Sequence, residues 1–447
     1  MITWFFHRKR LFFWLLRAYV KKRKSTITSF FVAGVIVAAI GYLLTPKIAP
    51  YLPKKTENIG IIGSYTIEAL PIDIQNRISL GLTKVSETGD ASPSAALSYE
   101  VSSDGKTYTF SLRNDLFWQD GKKFTAHDVN YNFKDVETAV TSDTEIIFKL
   151  TEPFAPFPTV VSQPLFRKGL VGLSVEDKVT DIKRAGSVIN SLTLEGRADG
   201  RKRYKFYPNE EEAKVRFMLG EIDSLVNLVD AEQFQSWKNV VTTESTSENQ
   251  LVTVFYNTAI PLLSDKAVRQ ALTYALPSDF GDKRAFSPLQ RASWAYVPQN
   301  KYTQNIDTAK KLLGDSKEAT AAATIALTLT TTPQFEDLAN RIKDDWGKIG
   351  VETTVDVVTT IPSDPQVLLE RFRIPNDPDQ YILWHSTQAT NISHYANPKI
   401  DKLLEDGRQV TNQEERAQIY ADFQKHIIDE SPAAFLYYPT VYTISRK

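Results

Sequence analysis

From Ile27 to Leu44 the chain runs ITSFFVAGVIVAAIGYLL without a charged side chain, directly behind the basic run Lys21-Lys22-Arg23-Lys24. Eighteen residues rise about 27 Å as a helix, close to the hydrocarbon thickness of a bilayer. The stretch therefore divides the 447 residues into a short leader and a body of roughly 400 residues that must build its own core. Basic residues before the span and few after it place the N-terminus in the cytoplasm and the body outside, a single-pass arrangement in the cell membrane. The rival reading is a cleaved signal peptide. Against it stand the length of the apolar stretch, the lack of an A-x-A site and the proline in Ile48-Ala49-Pro50.

Residues 1–26 are read as a cytoplasmic segment in which Trp4, Phe5, Phe6, Phe12, Phe13 and Trp14 alternate with Arg and Lys. That composition suits an amphipathic segment lying in the membrane interface, with a short hairpin into the membrane as the alternative. Residues 45–56 contain Pro46, Pro50 and Pro53 and form a semi-rigid linker.

The formal net charge is zero, but the first 24 residues hold eight Lys and Arg and no acid, which leaves the rest at −8. A mildly acidic body has no footprint for nucleic acid. Absence of cysteine excludes disulfides, thiolate metal sites, a Cys nucleophile and a lipidated cysteine tether. A body of this length exceeds one hydrophobic core, so two or more lobes are expected.

Strand-like runs fall at 58–62, 106–112, 145–150, 191–194, 251–257, 325–330 and 351–358. Helical periodicity marks 210–219, 265–275, 307–313, 335–349, 398–405 and 413–428. Asn209, Ser264 and Asn412 are expected as N-caps, and Gly350 as the stop of the helix before strand 351–358. The mixture is that of an α/β fold.

The segment from Tyr108 through Leu112-Arg113, Trp118, Asp120-Gly121 and Asp128-Val129 resembles the signature of the bacterial extracellular solute-binding proteins of family 5, the oligopeptide and dipeptide binders. A second block, Ser264-Asp265 through Val268-Arg269-Gln270-Ala271-Leu272 and then Asp307 through Leu312-Leu313, is similar to the family's second lobe. A third runs from Asp377-Pro378-Asp379 through Asn391, Tyr395, Asn397-Pro398, Asp401 and Leu404 to Glu415-Arg416, Tyr420, Phe423 and Pro432. Residues 169–178 depart from the family's Gly- and Tyr-containing stretch. Elementary chemistry gives Asp120-Gly121 a turn, Trp118 a packed indole and Asp128 a helix cap, all scaffold roles.

The resemblance implies a two-lobed type II periplasmic-binding-protein fold of mixed α/β class with an extra small subdomain, preceded here by the membrane helix. Lobe 1 is expected from 57–258 and 431–447, with the subdomain at about 80–145, and lobe 2 from 259–430. Tyr256, Asn257 and Tyr437 are expected at the hinge. The function implied is capture of a peptide or peptide-like solute for the permease of an ABC importer, by a monomer without cofactor. A peptide sensor or scavenger, or a chaperone-like surface protein, remains the alternative. A receptor tolerant of side chains should grip the peptide's common groups through strand-like pairing and one acid. Asp377 and Asp379 are the expected acids, with a Pro-interrupted turn as their other reading. Trp384 and Ser386 are expected to wall the cleft, Ser64 and Tyr65 to line its opposite face, and a core role stands open for Trp384.

No G-x-S-x-G, H-E-x-x-H, Walker or G-x-G-x-x-G motif occurs. His385 and His394 are nine residues apart, a spacing that suits no helix-borne metal pair. Neither an enzyme nor a metal site is expected.

Overall fold

The computed structural model describes residues 56–173, 177–196, 200–277, 279–322 and 324–447, together with Lys22, Arg23 and Ser29. The expected membrane helix 27–44, its flanking leader and the linker up to residue 55 otherwise lie outside the described residues. Among the described residues no helix is long and apolar enough to cross a membrane.

The body from Glu57 to Lys447 is built on two large sheets. The first has seven strands, in the order Asp177–Ala185, Val188–Gly196, Arg201–Tyr207, Thr56–Ile62, Ser224–Leu228, Thr440–Arg446 and Val240–Thr246. The second has six, in the order Lys283–Arg284, Ala433–Tyr438, Gln250–Tyr256, Val367–Arg373, Ile325–Thr331 and Val351–Val357.

Strand Gln250–Tyr256 shows why its run is continuously apolar. Successive side chains point to opposite faces, and helices cover both. Val252, Val254 and Tyr256 enter one core together with helices Lys266–Ala275 and Glu336–Gly347. Leu251 and Phe255 enter another with helices Pro398–Gln409 and Gln413–Glu430. In Glu336–Gly347 the buried positions Ala339, Ile342 and Trp346 follow the helical period, and the Trp346 indole donates to the Leu272 carbonyl at 3.0 Å. Positive φ at Gly350 ends that helix and lets the chain turn directly into Val351–Val357.

Local capping follows the expected chemistry with two corrections. Asn209 and Asn412 accept from the backbone N–H groups of Glu212 and Glu415. At the third site the cap is Asp265, which accepts from Ala267, while Ser264 closes the preceding short turn onto Pro261. Asp128 starts no helix. It accepts from the backbone and hydroxyl of Thr125 and closes a single turn, because no helical run follows it.

A four-stranded sheet, ordered Ala96–Val101, Thr107–Leu112, Glu145–Leu150 and Val136–Ser142, forms the small subdomain. Its core reaches from Leu82 to Leu173 and contains Trp118, beyond the expected limits of 80–145. Trp118 meets Phe124 edge-on at 5.6 Å, and Gly121 turns the chain at φ +84° in open space.

The chain leaves the first sheet after Thr246 and enters the second at Gln250, then returns between Tyr438 and Thr440. The two crossings are tied, since the Ser247 N–H donates to the Pro439 carbonyl at 2.9 Å. Tyr256, expected at the hinge, ends strand Gln250–Tyr256 of the second sheet at the side away from the crossing, and Asn257, also expected there, follows it directly. Tyr256 is fully buried with its hydroxyl 3.1 Å from that of Thr273, and Asn257 donates to the Pro365 carbonyl. Both belong to the second lobe. Tyr437 lies two residues before Pro439, beside the return crossing.

Candidate functional site: the interlobe cleft

A cleft of about 820 Å³ opens between the two sheets. The first-lobe wall carries Asp73 and Asn76 from helix Ile72–Ile78, and Lys84, Ser86 and Glu87 from the hairpin that follows. The floor is the crossing Ser245–Asn249 with Val441. The second-lobe wall is Gln290, Ala292, Arg373 and Asn376. Among the described residues none that lines the cleft is aromatic, and hydroxyl and amide groups dominate, so the cleft offers hydrogen bonds along its length.

Three local devices shape these walls. Asn227 sits at φ +59° where the pairing of strands Ser224–Leu228 and Thr440–Arg446 slips register, and this bulge presents it at the cleft. The buried Gln290 amide donates to the carbonyls of Ile374 and Pro375 and to the Asn376 side chain, each at 3.2 Å. It thereby fixes the strand end that carries Arg373 and Asn376. Gly89, at φ +91°, lets the hairpin tip press on the second lobe, where an added Cβ would stand 2.3 Å from the Asn376 carbonyl oxygen. The same tip is held by the Trp294 N–H, which donates to the Thr88 carbonyl at 3.0 Å.

Two lobes joined by two tied crossings around one polar cleft form a receptor architecture. The family model for bacterial extracellular solute-binding proteins, family 5 (middle part), matches residues 90–169 and 201–393, more than half of the chain. The chain belongs to this family. Family 5 proteins are solute-binding proteins rather than enzymes.

Among family 5 relatives, the oligopeptide-binding protein AppA of Bacillus subtilis is 25% identical over 84% of this chain and 83% of its own length. The dipeptide-binding protein of Escherichia coli is 23% identical, with 86% of each chain covered. The solved structure of NikZ from Campylobacter jejuni, in complex with Ni(L-His), superposes with a TM-score of 0.72 at 22% identity, covering 89% of this chain and 95% of that one. At that identity the likeness speaks for the two-lobed fold.

Within this family 5 frame, the residues expected at the ligand fall elsewhere. Asp377 is buried against Arg416 at 2.9 Å, and Asp379 receives Arg408 at 2.8 Å. Burial alone would lower the Arg416 pKa, but the Asp377 carboxylate and the Tyr420 hydroxyl outweigh it and hold the pKa above the usual arginine value. The backbone N–H of Asp379 donates to Asp377, and that of Tyr381 to Asp379, so Asp377-Pro378-Asp379 is a turn locked to two helices. Trp384 is buried between Phe255 and Phe435. Ser386 donates to Asp401 through both its backbone and its hydroxyl. Tyr65 donates to the Ile62 carbonyl and packs on Phe206, while Ser64 is exposed. None of the six is among the cleft-lining residues.

Sequence reasoning missed Arg373, Asn376, Gln290 and Asn227. Asn376 directly precedes the Asp-Pro-Asp motif and Arg373 stands four residues before it, so the motif marked the right strand end. Gln290 and Asn227 carry no pattern of their own.

Proposed function

We propose that this family 5 protein captures short, hydrophilic peptides or peptide-like solutes in the interlobe cleft and delivers them to the permease subunits of an ABC importer. The observation that carries this is the cleft itself, whose volume lies in the range of about 300–1,000 Å³ typical of small-ligand sites and whose walls are rich in backbone-pairing groups. The names of the AppA and dipeptide-binding relatives point to the same ligand class. Ligand binding shifts an equilibrium between open and closed lobes, with Ser247–Asn249 and Pro439 absorbing the change. Both walls come from one chain, so the receptor works as a monomer. The uncharged stretch 27–44 tethers the body outside the cell membrane, with the basic leader in the cytoplasm.

Native mass spectrometry of the full-length chain in detergent tests the ligand class. The expected adducts fragment as peptides, and adducts that contain no peptide bond overturn the reading. Protease added outside intact cells should digest the body and spare the first 24 residues. A mature N-terminus beyond Ala49 would overturn the tether alone.

A further inference from the structure

Among the described residues five ionisable side chains line the cleft: Asp73, Lys84 and Glu87 on the first lobe, Glu248 on the crossing and Arg373 on the second lobe. Glu248 is neutralised by Lys283. The other four have no ion pair or side-chain hydrogen bond among the described residues, and all four are exposed. The first-lobe wall therefore carries a net single negative charge and the second-lobe wall a single positive one. A ligand bridging the walls meets an oriented field.

Arg373 is also the best anchored of these groups. It ends the internal strand Val367–Arg373 and pairs across from Gln250. The next residue, Ile374, donates to the Asn249 carbonyl at 2.9 Å and accepts from Gln290. A guanidinium is always charged and offers a planar fork that matches a carboxylate, whereas Lys84 is a point charge on a two-stranded hairpin. Closure of the lobes withdraws water from an unpaired cation, which is unfavourable unless the ligand supplies the counter-charge.

We propose that Arg373 receives a carboxylate of the bound ligand, with the ligand's cationic end toward Asp73 and Glu87, so that the protein selects solutes with a free anionic terminus. This rests on the peptide reading above for the identity of the carboxylate, but not for the role of Arg373.

The test compares the full-length parent chain with Arg373→Gln and Arg373→Lys by native mass spectrometry. Each is offered equimolar random tripeptides as free acids or as C-terminal amides, and separately a mixture of citrate, succinate and glutarate. The parent should retain free acids over amides by about tenfold or more, the scale of one charge-assisted contact. Arg373→Gln should lose that preference while holding the amides unchanged, and Arg373→Lys should fall between. Equal retention of acids and amides by the parent, or a preference that survives in Arg373→Gln, overturns the assignment and leaves the peptide reading standing. Retention of non-peptide carboxylates only, lost in Arg373→Gln, supports Arg373 and overturns the peptide reading. Retention of nothing by the parent overturns both.

Discussion

Asp377 and Arg416 face each other at 2.9 Å in the interior of the second lobe, each less than a tenth exposed. Arg416 also lies over the rings of Trp294 and Tyr420, so the pair joins the Asp-Pro-Asp turn to helix Gln413–Glu430 and to the wall beside the hairpin tip. A buried ion pair adds little net stability, yet removing one partner strands the other without solvent. Asp377→Asn should therefore cost about 3–5 kcal/mol of folding stability, read by chemical denaturation. Asp379→Asn should cost less, because Arg408 is a quarter exposed and keeps its place over the Tyr381 ring. At temperatures where both variants are folded, peptide affinity should match the parent. A loss of affinity without a loss of stability would return these carboxylates to the ligand site.

Gly89 marks where the lobes touch. In Gly89→Val, a Cβ at 2.3 Å from the Asn376 carbonyl cannot coexist with a seated hairpin tip, and a β-branched residue at φ +91° is strained as well. Peptide affinity should fall about tenfold or more because the closed form is disfavoured. Gly121→Val separates the two effects, since Gly121 has φ +84° with nothing near its Cβ position. It should lose stability but keep affinity. Calorimetry showing equal affinity losses in both variants would remove the hairpin from the closure.

Acid sensitivity has an identifiable contributor. Partial burial acts to raise the Asp429 pKa, but Lys266 and Lys301 outweigh it and hold the carboxyl below its usual range. The unfolded chain takes up this proton at higher pH than the folded one. The stabilisation is thus complete above the unfolded value, about 3.9, and is lost as pH falls through the depressed folded value. Asp429→Asn should be less stable than the parent at pH 7, and the difference should shrink as pH drops below about 4. Urea unfolding of the two at pH 7, 4 and 3 checks the sign, and a gap that widens toward acid would refute it.

Much of the secondary structure was legible because strand and helix periods are local. The apolar run 251–257 and the helix at 335–349 were placed within two residues, and Asn209 and Asn412 cap as their chemistry dictates. The crossing was misjudged by about one strand length. A run buried on both faces has no asymmetry to say which of its ends leaves the lobe, and here it is the Gln250 end. The ligand wall was less legible still. Asp377 and Asp379 look available in sequence, and the arginines that occupy them stand 39 and 29 positions away on separate helices. Asn227 reaches the cleft through a bulge, a feature of pairing rather than of any local motif.

The central claim is that the space between the lobes is where the ligand sits. Ala292 lines that space from the second lobe, is exposed, and can take a larger side chain without disturbing a core. Titration calorimetry of the full-length chain with its co-purified ligand, for the parent and for Ala292→Trp, is the direct measurement. An indole filling part of the 820 Å³ should leave the melting temperature unchanged and weaken binding by at least about a hundredfold. Undiminished affinity in Ala292→Trp, with the same stoichiometry as the parent, would contradict the account.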